Sequence, residues 1–271
     1  MKKVLLASVA GVALVAGAPA HAADLGTRPT YKAPPVVVPV PIFSWTGCYI
    51  GAHVGGGWGR KDFSDPEDTF DFAPPGATIR INTSGWFAGG QVGCDYQFAP
   101  NWVIGIEGSG SGADIKGSAV DSFFNGKNES LTFHAKTDWF ASATARVGVT
   151  WDRWMLYAKG GAAWAGDKYS ALGTVSGTCA TAPCAVPFDF TASETRTGWT
   201  AGVGIEWAFW NNWSARLEYD HYDFGTRSVN LSDPNFTPTF IPADIKQRFD
   251  TVRLGINYRF GWGKAPVVAR Y

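Results

Sequence analysis

The sequence predicts an all-β fold, an eight-stranded antiparallel transmembrane up-and-down β-barrel. Three observations carry this. Eight segments alternate apolar and polar residues with a period of two. The connections between them are alternately short and long. Aromatic residues recur at both ends of the segments, spaced to bracket an apolar band of ~25 Å in a tilted strand.

The segments run 45–58, 86–98, 102–115, 139–151, 154–167, 197–209, 213–224 and 252–260. The last shows the rule best. Val252, Leu254, Ile256, Tyr258 and Phe260 share one face, and Arg253, Gly255, Asn257 and Arg259 share the other. In 139–151, Trp139, Ala141, Ala143, Ala145, Val147, Val149 and Trp151 oppose Ser142, Thr144, Arg146, Gly148 and Thr150. The turns Ala99-Pro100-Asn101, Asp152-Arg153 and Asn211-Asn212 are tight and rich in turn formers. The other four connections, 59–84, 116–135, 168–193 and 225–246, read as long loops. Short turns on one side and long loops on the other fit an outer-membrane barrel, with the short side in the periplasm.

Trp45, Trp102, Trp151, Trp154, Trp207, Trp210, Trp213 and Phe260 form the expected girdle at the short-turn ends. Trp58, Trp86, Trp139, Trp164, Trp199 and Phe224 form the expected girdle toward the long loops. A soluble core rarely needs aromatics at both ends of every strand.

The ends of the chain read differently. Lys2 and Lys3 precede an apolar stretch, Val4 to Ala18, and then Ala20-His21-Ala22. That order is a secretory signal peptide over residues 1–22, too short to span a bilayer as a helix. Residues 23–42 include RPTYKAPPVVVPVP, whose prolines favour an extended, semi-rigid periplasmic segment. The barrel then occupies 43–260, and 261–271 form a periplasmic tail. The formal net charge is zero, which gives no case for a nucleic-acid partner.

Several motifs resemble a known family. WTGCYIGAHVGGGWG (Trp45–Gly59), GWFAGGQVGCDYQF (Gly85–Phe98), WSARLEYDHYDFG (Trp213–Gly225) and TVRLGINYRFGWG (Thr251–Gly263) resemble the OmpA-like barrels of the outer membrane immunogenic protein family of Gram-negative bacteria. Ala23–Leu25 and Tyr31–Pro35 match as well. The resemblance implies an eight-stranded barrel that is an abundant, antigenic and porin-like surface protein. It implies no catalytic residue. Two features depart from the family pattern. Related chains carry aromatics where this one has Cys48 and Cys94, and Phe260 is followed by GWGKAPVVARY rather than standing last. No segment resembles the peptidoglycan-binding domain of OmpA itself.

Few residues could carry chemistry. Glu107, Arg146, Lys159, Glu206, Arg216, Glu218 and Arg253 fall on polar faces, and closing the sheet brings them together inside. An eight-stranded barrel is only just wide enough for its side chains, so these charges should pair. The network reads as a plug of salt bridges or as a narrow gate that opens on rearrangement. Asp62, Asp65, Glu67, Asp68 and Asp71 form an acidic stretch whose spacing is not that of a calcium loop. His221, between Asp220 and Tyr222, is the best candidate base for a rim enzyme, yet no G-x-S-x-G is present. The expectation is therefore no enzyme, no metal and no cofactor.

The four cysteines face an oxidising compartment. Pairing Trp45 with Phe98 puts Cys48 almost opposite Cys94, where they form either a cross-strand disulfide or two lipid-facing thiols. Expected partners are outer-membrane lipid and lipopolysaccharide, the barrel assembly machinery during biogenesis, and an unidentified surface ligand at the loops. The function expected is a structural and antigenic barrel that supports the envelope; the alternatives are a low-conductance porin and, more remotely, an enzyme at the rim. Cys179 and Cys184 flank Pro183 and should close as a disulfide; non-reducing peptide mass spectrometry is expected to find them linked, and alkylation of both thiols would overturn it.

Overall fold

A computed structural model describes residues 43–64, 78–120, 130–179, 182–233 and 240–260. The proposed signal peptide, the proline-rich segment, the C-terminal tail and Asp65, Glu67, Asp68 and Asp71 lie outside the described residues. So do the side chains of Cys179 and Cys184.

Eight strands are present among the described residues: β1 (Gly47–Ser64), β2 (Thr78–Ala99), β3 (Trp102–Val120), β4 (Ser130–Trp151), β5 (Trp154–Cys179), β6 (Ala182–Trp210), β7 (Trp213–Ser232) and β8 (Phe240–Arg259). Each pairs antiparallel with its neighbours in sequence, and β1 pairs with β8, from Tyr49 opposite Arg259 to Ser64 opposite Asp244. No edge remains, as a bilayer demands of a sheet.

The registers fix the geometry. Paired residues run from Cys48 through Cys94, Ile106, Ala145, Gly160, Ala201, His221 and Asp250, and return to β1 at Trp58. The circuit thus closes ten positions above its start. With eight strands, that stagger tilts them by about 40° to the axis. Trp154 and Trp164 on β5 are then about 25 Å apart along the axis, the height of the apolar band.

The short turns are tied to the next hairpin. Asn101 accepts from the Thr150 amide at 2.8 Å while its own side-chain amide donates to the Thr150 carbonyl at 2.8 Å. Asn212 does the same with Arg259, at 2.7 Å each way.

Two expectations are corrected. The stretches read as long loops are largely paired strand: β5 and β6 continue pairing to Cys179 opposite Ala182. Sequence alternation stops at the girdle because the outward face turns polar there, whereas the inward face stays packed. Phe63, Ile81, Tyr169, Ala171, Val229, Leu231 and Ile245 continue as an apolar cluster above it. Trp45 and Phe224 are not girdle residues. Phe224 shares the inward face of β7 with Glu218, Asp220 and Tyr222 and is buried. Trp45 precedes β1 on the inward parity and is fully buried. Gly47, at φ 143°, turns the chain so that Trp45 folds under the barrel, where a Cβ on Gly47 would lie 2.8 Å from the Phe260 carbonyl oxygen.

The other girdle residues stay on the wall. Trp102, Trp151, Trp154, Trp207, Trp210, Trp213 and Phe260 below, and Trp58, Trp86, Trp139 and Trp199 above, are exposed on the outer surface. Trp164 is half-buried.

Cys48 and Cys94 are opposed in register and joined by a disulfide. Phe260 N–H donates to the Cys48 carbonyl, so Cys48 directs its backbone bonds toward β8. Its pair with β2 is therefore of the closer, non-hydrogen-bonded kind that accommodates a cross-link. The bond spans 46 residues. Replacing Cys48 and Cys94 by serine is expected to cost about 4 kcal/mol through chain entropy, read as a lower urea midpoint in lipid vesicles. An unchanged midpoint would show that closure alone sets the stability of the hairpin.

Candidate functional site

The lumen is filled in layers, and the inward parity of each strand decides which residues build them. At the periplasmic mouth, Trp45, Val103, Met155, Tyr157 and Ala208 pack together, with Phe43 edge-on to Trp45. Arg259 lies over the Trp45 ring and donates to the Trp45 carbonyl at 2.7 Å.

Above this seal lies a layer of ion pairs. Arg146 meets Asp95 at 2.5 Å, Glu206 at 3.4 Å and Glu107 at 3.8 Å. Lys159 sits among Glu218 at 3.1 Å, Asp220 at 3.2 Å and Glu107 at 3.5 Å. Arg216 pairs with Glu107 and, at 3.4 Å, with Glu218. Arg253 pairs with Glu218 and, at 3.0 Å, with Asp220. Arg259 meets Asp95 at 2.7 Å. The layer holds five cations, Arg146, Lys159, Arg216, Arg253 and Arg259, and five carboxylates, Asp95, Glu107, Glu206, Glu218 and Asp220. All are buried. Equal numbers of each sign make it neutral, which a low-dielectric interior favours strongly.

Tyrosines brace this layer. Tyr49 donates to Glu107 at 2.7 Å and Tyr157 to Glu218 at 2.5 Å, and both rings lie within 5.0 Å of the Arg146 guanidinium. Their rings use the room left by glycines: a Cβ on Gly93 would lie 2.3 Å from the Tyr49 hydroxyl, and one on Gly204 2.5 Å from the Tyr157 ring. Gly202 is covered by Asp220 in the same way. His53 is held between Gln91 and Ser111, at 2.5 and 2.7 Å.

An apolar layer follows. Phe87, Ile115, Phe140, Tyr222, Phe224 and Phe249 cross the lumen, with Phe140 edge-on to Phe87, Tyr222 and Phe249 at 5.0–5.5 Å. A second polar layer sits outside it. Lys61 meets Asp167 at 2.7 Å, Thr137 and Gln247 also donate to Asp167, and Arg196 donates to the Ile245 carbonyl at 2.8 Å. The Phe63 and Ile81 cluster caps the stack.

All seven residues expected in the lumen network therefore lie in one buried layer. Asp95, Asp220 and Arg259 join them; each has the inward parity of its strand, which is the signal that marks them. The Lys61, Asp167 and Arg196 cluster was missed because Lys61 fell in a stretch read as loop, Asp167 ended its predicted strand and Arg196 preceded the next one. His221 points outward and is half-buried. Its Nδ1 lies 2.7 Å from Asp250, Tyr219 donates to the same carboxylate at 2.7 Å, and Trp199 packs on the imidazole. Asp62 is a wall residue paired with Arg80 at 2.7 Å.

A closed, eight-stranded antiparallel ring with an apolar girdled wall and a polar filled interior is a bacterial outer-membrane barrel. The chain belongs to the outer membrane protein beta-barrel domain family, whose model matches residues 9–260. It is similar to the 31 kDa outer-membrane immunogenic protein of Brucella melitensis, at 34% identity over 96% of this chain and 100% of the relative. It is also similar to the 22 kDa outer membrane protein of Rhizobium leguminosarum, at 26% identity over 81% of this chain and 80% of the relative. Among solved structures, the outer membrane protein OprG from Pseudomonas aeruginosa aligns with 81% of this chain and 99% of its own, at 10% identity and a TM-score of 0.43.

Arg146 tests the lumen network directly. Arg146→Met removes one of the two cations, Arg146 and Arg259, that Asp95 and Glu206 share and leaves the five buried carboxylates facing four cations; a loss of about 3–5 kcal/mol is expected in urea unfolding from lipid vesicles. A loss below about 1 kcal/mol would mean that water enters and solvates the carboxylates.

Proposed function

We propose that this barrel is a non-conducting structural and antigenic protein of the bacterial outer membrane. It anchors in the bilayer by its wall and displays the extended ends of its strands outside. The observation that supports this reading is the succession of packed and ion-paired layers across the lumen. The layer of Phe87, Phe140, Tyr222, Phe224 and Phe249 lies across the path, between two hydrogen-bonded polar layers. A conducting state would have to move these rings and also break a neutral buried ion network, each part of which is costly to expose unpaired. The antigenic role is carried over from the relatives named as immunogenic proteins.

The reading as a non-enzyme rests on two supports. The relatives are named for their place and immunogenicity rather than for a reaction. His221 is bonded to Asp250 and faces the outer wall, and no hydroxyl nucleophile stands against its ring among the described residues.

The test is electrical. Protein refolded into planar bilayers is expected to give no stepwise conductance above the lipid background. Steady single-channel steps in the unaltered protein would establish the gate reading of the charge layer and overturn this one.

A further inference from the structure

Just beyond the outer aromatic girdle, the barrel wall changes from apolar to charged, and it does so unevenly. On β3, β4 and β5 the outward lysines are neutralised by their neighbours. Lys116 meets Asp114 at 3.0 Å, Lys136 meets Asp138 at 2.9 Å and Asp114 at 3.5 Å, and Lys168 meets Asp138 at 2.7 Å. On β1 and β8 the arrangement differs. Arg60 and Arg248 are directly opposed in register, and Lys246 is two residues from Arg248 on the same face. All three are exposed. None has a carboxylate within 4.0 Å among the described residues. Four acids share this face and each has another partner. Asp62, opposite Lys246, holds Arg80 at 2.7 Å, and Asp223, opposite Arg248, accepts from the Gly225 amide at 2.7 Å. Asp244 accepts from the Ser228 hydroxyl at 2.5 Å, and Asp250 meets His221 and Tyr219 at 2.7 Å each.

Like charges directly opposed on adjacent strands are destabilising unless something neutralises them. Their place on the barrel indicates what does. Arg60 is two residues beyond Trp58, which puts it about 5 Å farther out along the axis. Girdle tryptophans sit at the level of the lipid headgroups. The guanidinium pair is therefore held at and just above headgroup depth on the outer-leaflet side, where the lipid is a phosphorylated glycolipid. A guanidinium fork matches a phosphate through two parallel hydrogen bonds, and an ammonium beside it adds a movable point charge.

We propose that Arg60, Lys246 and Arg248 form a docking site for a phosphate group of outer-leaflet lipopolysaccharide, seated on the β1–β8 seam with Trp58 beneath it. The site rests on the outer-membrane orientation of the barrel but not on whether its lumen conducts. It fixes one side of the wall to the glycolipid, while the β3–β5 side, neutralised from within, makes no such demand.

The experiment uses the full mature chain in detergent micelles, with purified bis-phosphorylated lipid A as the probe and native mass spectrometry as the readout. Arg60→Gln/Lys246→Gln/Arg248→Gln is expected to lower lipid A affinity at least tenfold. Lys116→Gln/Lys136→Gln/Lys168→Gln, on the opposite wall, is expected to stay within twofold. Lipid A stripped of its phosphates should bind the unaltered protein as weakly as the triple variant binds intact lipid A. Equal losses in the two triple variants, or undiminished binding of dephosphorylated lipid A, would overturn the site. Equally tight binding of phosphatidylglycerol would overturn the assignment to the glycolipid. Heat-modifiable migration on gels verifies that each variant is folded. Should the triple variant misfold, Arg60→Gln and Arg248→Gln singly are each expected to lower affinity about threefold, and no change in either would count equally against the proposal.

Discussion

A sheet in a bilayer has no water to satisfy its edges, so every backbone amide and carbonyl in the apolar band must find a partner within the protein. Pairing β1 with β8 meets that requirement, and the rest of the molecule follows from how the pairing closes. Eight strands closing with a stagger of ten set the tilt and the diameter together. The interior that results is only just wide enough for side chains. Any residue of inward parity must therefore pack, pair or hydrogen-bond across the axis.

That constraint explains the lumen. Ten charged side chains in a narrow space are tolerable because they are equal in number and because each meets more than one partner. Lumen glycines and tyrosines are complementary here: Gly93 and Gly204 provide the space that the rings of Tyr49 and Tyr157 occupy. The rings in turn shield the network and donate to Glu107 and Glu218. The network holds opposite walls of the ring together, so it contributes specificity of closure even where a buried ion pair adds little net stability.

The wall answers to a different solvent. Outward positions at mid-height on β3 and β4 include the small Gly108, Gly110, Ala141 and Ala143, whereas the bulkier Val54, Leu217 and Leu254 face outward on β1, β7 and β8. The disulfide between Cys48 and Cys94 fastens β1, the strand of that seam, to β2 near the periplasmic girdle. Toward the outer girdle the same seam carries the unneutralised Arg60 and Arg248. Closure, covalent clamping and surface charge are thus gathered on one side of the barrel.

The sequence by itself determined the strand count, the inward and outward faces, most of both girdles and the seven core members of the ion layer. It could do so because a strand repeats every two residues, so lipid contact on one face leaves an apolar mark that needs no tertiary knowledge to read. The same mark failed where lipid ends. Above Trp58 and Trp164 the outward face becomes polar, so strands that continue for many residues read as loops or as strand ends, and Lys61, Asp167 and Arg196, in or beside those stretches, passed unrecognised. Trp45 was misread from its place at a strand end, although it has the inward parity of β1; it precedes the strand, and Gly47 turns the chain so that the ring folds under the barrel. Only the tertiary structure decided the register between strands, since the period-two pattern fixes which face a residue takes but not which residue stands opposite it. That register joins Cys48 to Cys94, sets the stagger at ten, gives each lumen charge its partners and leaves Arg60 facing Arg248.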